Sequence, residues 1–168
     1  MSQQKNLLLC LNFAQKLINE RDLSLTPQFI AADSVHHEFG DVPADFQSGP
    51  RAMAQFLSLY LRAFPDLRLT FEDALADRDR VVTRWRLEGT QDGPLMGFAP
   101  SGRRVSIEGI RIDRIENGKI AESWMQMDTM SLLEQIGALP KLRREPLHEV
   151  PAEKPPAGRA GRESRFVA

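Results

Sequence analysis

Two hydrophobic periods divide the chain. Up to about residue 64 apolar side chains recur every three to four positions, and from Leu67 they recur every second position. Leu7, Leu11, Ala14 and Leu17 or Ile18 share one face of a helix over about 4–20, widened by Leu8, Cys10 and Phe13. Thr26-Pro27 places a capping residue before a proline at the first helical position, which predicts a short helix over about 27–32. Val35-His36-His37-Glu38-Phe39 reads as a short strand, and residues 40–50 as a polar loop. Met53, Phe56, Leu57, Tyr60, Leu61 and Phe64 spell a long amphipathic helix over about 50–64, ended by Pro65.

Beyond it Leu67, Leu69 and Phe71 alternate with polar neighbours, as do Val81, Thr83, Trp85 and Leu87 in a second long strand. A third covers about 103–116. Its apolar residues are odd-numbered at Val105 and Ile107 and even-numbered at Ile110 and Ile112, so a β-bulge is expected at Gly109. Asn117-Gly118 predicts a two-residue hairpin into a fourth strand, Lys119 to Met127. A last helix follows over about 129–136. Ser131 to Glu134 has capping-box spacing, and Gly137 is its C-terminal cap. Helices grouped ahead of antiparallel strands predict an α+β domain over 1–140: a curved antiparallel sheet packed on the N-terminal helices as a cone with a hollow interior. Residues 141–168, with four prolines and little apolar periodicity, are expected to be a disordered tail.

Composition narrows the function. Residues 1–140 carry a net charge of −4 and residues 141–168 one of +3, so the body lacks the basic face of a nucleic-acid binder. No apolar run approaches the ~20 residues that span a bilayer. The polar first residues do not resemble a signal peptide, and a single cysteine, Cys10, suits a cytoplasmic protein. Neither nucleic acid nor membrane is therefore expected as a partner. Serine–histidine–aspartate, cysteine–histidine and phosphate-loop spacings are not found.

Three stretches carry a family resemblance: Phe64-Pro65-Asp66-Leu67; Gly89-Thr90 through Gly97-Phe98-Ala99-Pro100-Ser101-Gly102-Arg103; and Arg114 through Trp124, followed by Asp128 and Gln135-Ile136-Gly137. Together they resemble the SnoaL-like polyketide cyclases, or ester cyclases, of the NTF2-like superfamily. That resemblance implies a cone-shaped barrel and assembly into a homodimer or homotetramer. It also implies cofactor-independent ring closure on a small hydrophobic carbonyl substrate. The cone aspartate that serves relatives as acid/base matches Asp128. Many relatives carry histidine at the position of Ser123, aspartate at that of Met125, and often histidine at that of Gln91.

Among candidate residues, Asp128 is expected to face the cavity, where burial raises a carboxyl's proton affinity towards that of a general base. The alternative is that Asp128 caps the last helix. Neighbouring strand residues point to opposite faces, so one of His36 and His37 faces inwards. His37 is taken as the inward, catalytic one and His36 as a substrate contact. Glu122, Trp124 and Gln126 share a strand face and are expected to contact substrate, with Trp124 stacking on a planar ring. Phe98, in a long loop that could act as a lid, and Arg111, which could orient a carboxylate or ester, complete the set. His-His-Glu is not a ligand spacing, and no metal is expected. A non-catalytic module binding a hydrophobic small molecule, or an isomerase, dehydratase or hydrolase of the same fold, are the alternatives.

Overall fold

The structure, a computed structural model, describes residues 2–37 and 48–140. The end of the first expected strand at Glu38 and Phe39, most of the 40–50 loop, and the tail with His148 lie outside the described residues. The elements are α1 (Gln3–Ala14), continued by a π-helical turn over Gln15–Asn19, then α2 (Thr26–Phe29), β1 (Ile30–His36), α3 (Gly49–Ala63), β2 (Arg68–Asp77), β3 (Arg80–Thr90), β4 (Arg104–Glu116), β5 (Lys119–Met127) and α4 (Thr129–Ile136). The five strands form one curved sheet in the order β1-β5-β4-β3-β2. The sheet is mixed rather than wholly antiparallel, because β1 runs parallel to β5 at one edge. β1 also begins earlier than its sequence suggests. Pairing of Ile30 with Ile120 draws Ile30-Ala31-Ala32 out of the short helix, so tertiary pairing overrides the strong helix preference of alanine.

The core lies between the concave face of the sheet and helices α1 and α3. Phe13, Leu17, Met53, Leu57 and Phe64 meet Leu69, Val81, Trp85, Val105 and Ile107 there. Asn117 and Gly118, both at positive φ, close the β4–β5 hairpin as expected. α4 is capped at its C-terminus by Gly137 and docks on β4 through Gln135, which bonds both the N–H and the C=O of Ser106.

The expected bulge at Gly109 is absent. β3 and β4 pair without a slip from Arg80–Arg114 to Thr90–Arg104. The register shifts fall elsewhere, between Ile30 and Val35 on β1, between Phe71 and Asp73 on β2 and between Arg114 and Ile115 on β4. The odd-numbered residues of β4 therefore face the core along its whole length, and Ile110 and Ile112 point outwards. Gly109 is instead a site of close approach: the Trp85 ring crosses the backbone where a side chain would stand. The inward row of β4 thus reads Val105, Ile107, Gly109, Arg111, Asp113 and Ile115, which places two charged residues in the core.

Candidate functional site

A cavity of about 60 Å³ lies between α1, α3 and the concave sheet. Its walls are mostly apolar, with Phe13, Leu57, Trp85, Met125 and Met127 among them, and its polar groups come from Thr83, Arg111, Asp113, Tyr60 and Cys10. Typical ligand pockets are several times larger. Met125 and Met127 are the unbranched, adaptable residues of this cavity's wall.

The charged groups form a closed triangle at one end. Arg111 Nε donates to Asp113 Oδ1 at 2.7 Å, Ser123 Oγ donates to the same oxygen at 2.6 Å, and Arg111 Nη2 donates to Ser123 Oγ at 2.8 Å. Strand register explains the geometry. Asp113 and Ser123 are directly paired across β4 and β5, and Arg111 is the next inward residue on β4. The Arg111 guanidinium also lies over the Phe13 ring, 4.7 Å from its centroid. Cys10 is hydrogen-bonded to the Asp113 carboxylate. Burial and the charge of Asp113 push its thiol far up, so it is a protonated wall residue and not a nucleophile.

His36 adjoins this triangle from β1. It pairs with Ser123 across β1 and β5, is buried, and has Nε2 3.0 Å from Ser34 Oγ. Burial first, then the nearby charges of Arg111 and His37, push it down to about 3. Unfolding frees the ring to take a proton near pH 6.5, so the folded state loses stability as pH falls from about 6.5 towards 3, by at most about 1.4 kcal/mol per pH unit. Urea unfolding at pH 7, 5 and 4 checks this. The pH slope should be shallower in His36→Asn, and an unchanged slope would contradict the assignment.

Most of the expected site residues stand elsewhere. Asp128 is exposed and is the N-cap of α4, accepting from the N–H of Ser131 at 2.9 Å. Ser131 is therefore the third residue of the helix rather than its cap, and Asp128 is not displaced into the cavity. The inward and outward histidines are reversed: His36 faces in, while His37 is exposed, pairs with Glu122 at 3.0 Å and stacks on Trp124 with centroids 5.0 Å apart. Glu122, Trp124 and Gln126 do share a face, but it is the convex one. There Arg114 bonds Glu122, and Arg80 lies over Trp124. Phe98 sits exposed at a small hairpin tip beside Met96. Its loop is pinned by the buried Gln91, whose side chain bonds Gly93, Ala99 and Ser101. Of the eight expected residues, Arg111 lines the cavity.

Asp113, Thr83 and Tyr60 were not anticipated. The signal for Asp113 was present: Arg111 and Asp113 keep phase with Val105, Ile107 and Ile115. The departures from the family pattern also fall into place. Ser123 and Met125 flank the outward Trp124 and so face inwards. Ser123 bonds Asp113, and Met125 forms cavity wall.

Comparison with known proteins agrees with this architecture. No curated protein matches the chain. Among solved structures, AclR from Streptomyces galilaeus, a candidate hydroxylase, is 31% identical with a TM-score of 0.73, over 85% of this chain and 87% of that one. TsrD from Streptomyces laurentii is 30% identical with a TM-score of 0.74, over 83% and 99%. IdmH from Streptomyces antibioticus, a candidate polyketide cyclase, is 27% identical with a TM-score of 0.63, over 74% and 93%. The family profile of the SnoaL-like polyketide cyclases matches residues 8–136, and the chain belongs to that family, with its NTF2-like fold.

Proposed function

We propose that the chain is a cofactor-independent acid/base catalyst of the cyclase type, acting on a small apolar carbonyl compound inside the cone. Asp113 takes a proton from the carbon beside the carbonyl, and the Arg111 guanidinium stabilises the charge that collects on the enolate oxygen. The enolate carbon then attacks a second electrophilic carbon of the same molecule, and the resulting alkoxide recovers the proton from Asp113. The observation that carries this reading is the Arg111–Asp113–Ser123 triangle, a carboxylate and a cation set in an otherwise apolar hollow. It favours Asp113 over the exposed, helix-capping Asp128 as the acid/base. A second reading, a binding module without chemistry, draws on the bonds that Asp113 already makes to Arg111 and Ser123.

Exchange of the C1 protons of 2-tetralone in D2O, followed by NMR, separates these readings. Wild-type protein should accelerate exchange. Asp113→Asn should return it to the buffer rate, with folding confirmed by circular dichroism. Asp128→Asn, which retains a good helix cap, should exchange as wild type does. Undiminished exchange in Asp113→Asn, or its loss in Asp128→Asn, contradicts the assignment. No acceleration by wild type favours the binding module.

The convex face supports a homodimer or homotetramer. Leu75, Val82, Ile112 and Trp124 line up as direct cross-strand neighbours over four strands, and Leu75 is 66% exposed in the single chain. Light scattering would give the state in solution.

A further inference from the structure

Tyr60 is a polar group of the cavity that the chemistry above does not use. It is carried on α3, its ring is buried at 7% exposure, and it lines the same cavity as Trp85, Met125 and Met127. Its hydroxyl donates to Met127 Sδ at 3.9 Å. A thioether is a weak acceptor, and a buried tyrosine hydroxyl ordinarily reaches a stronger one. Burial pushes the phenol up to about 12, so it keeps its proton at any working pH. An arriving oxygen could take over this donor at the cost of one weak bond to a flexible side chain.

The strand register supplies a ruler. Met127 pairs with Gly109, Met125 with Arg111, and Ser123 with Asp113. Each two-residue step along β4 advances about 6.6 Å. Met127, whose sulfur takes the Tyr60 hydroxyl, is therefore rooted about 7 Å along the strands from the Arg111 row and about 13 Å from the Asp113 row. Trp85, paired with Gly109, and Thr83, paired with Arg111, cover the interval.

We infer that Tyr60 is a ligand-positioning residue, donating a hydrogen bond to an oxygen at the far end of a flat apolar ligand whose carbonyl is handled by Arg111 and Asp113. The ligand class is a carbonyl compound carrying a second oxygen function at its remote end. This rests on the cavity being the reactive site, as proposed above.

Two probes of equal shape test it, 6-hydroxy-2-tetralone and 6-methyl-2-tetralone, with affinities measured by calorimetry. Wild-type protein should favour the hydroxyl compound by about tenfold, the worth of one well-made buried hydrogen bond. In Tyr60→Phe that ratio should fall to about one, while affinity for the methyl compound stays within about twofold. A purely structural role for Tyr60 would lower both affinities together and leave the ratio intact. In Asp113→Asn the ratio should persist although proton exchange is lost. An unchanged ratio in Tyr60→Phe, or no preference in wild type, overturns the inference alone, since exchange on 2-tetralone can still proceed. If neither probe binds wild-type protein, the cavity is not a ligand site, and both the inference and the proposed function fall.

Discussion

Asp113→Ala should cost about 3–5 kcal/mol of folding stability, read as a shift in the urea midpoint. The side chains of Arg111 and Asp113 are 10% and 3% exposed. Removing the carboxylate takes away the charged partner that Arg111 Nε meets at 2.7 Å and leaves the buried guanidinium over the Phe13 ring with less to offset its desolvation. Arg111→Ala should be comparably severe, because it removes the cation that the buried carboxylate is paired with and leaves it the bonds to Ser123 and Cys10. Replacing both partners at once should behave differently. Arg111→Met with Asp113→Leu removes both desolvated charges and fills similar volume, so it should regain most of the lost stability. Such a double variant folds without proton-exchange activity, which would show that the pair is held for chemistry rather than for stability. A double variant as unstable as either single one would show that the triangle is needed for folding.

The second large effect is expected at Gly109. A Cβ built there lies 2.2 Å from Trp85 Cζ2, 2.5 Å from Cη2 and 2.8 Å from the Gln126 carbonyl oxygen. The carbonyl belongs to the β5 backbone, and the indole is wedged in the core at 4% exposure. Neither can give way as a flexible side-chain end would. Gly109→Ala should therefore reach or exceed the upper end of the usual overpacking range, about 3 kcal/mol. It should also disturb the cavity, which the same Trp85 ring lines. Thermal unfolding followed by tryptophan fluorescence would measure both. Combining Gly109→Ala with Trp85→Phe should cost less than the two single changes together, because the smaller ring relieves the clash.

The fold was largely legible because helices and strands here differ in period. α3 and the strands β2 to β5 emerge from apolar spacing, Pro65 and Asn117-Gly118 alone, and the family resemblance supplied the cone. The site was harder to read for one physical reason. Ile110 and Ile112 are outward-facing apolar residues, and Arg111 and Asp113 are inward-facing charged ones. An inside-apolar reading of β4 therefore inverts both pairs and invents a bulge to do so. Charges enter a core when they satisfy each other, and that cross-strand bonding is not visible along one strand. His36 and His37 were reversed because adjacent strand residues are told apart only by which neighbour each meets, Ser123 for one and Glu122 for the other. Asp128 was expected in the cavity with Ser131 as a competing cap, whereas Asp128 is itself the cap. Aspartate and serine both cap well, and the Ser131–Glu134 spacing alone does not say where α4 begins.

The central claim is that the ligand sits inside the cone beside Asp113, and not on the convex face beside Trp124 or at Asp128. Methyl-resolved NMR of methionine-labelled protein titrated with 2-tetralone tests this most directly. The Met125 and Met127 methyls, which line the cavity, should shift and show contacts to the ligand, while the exposed Met130 beside Asp128 and Met96 in the loop stay still. Shifts confined to Met130 or Met96, with Met125 and Met127 unmoved, would contradict it.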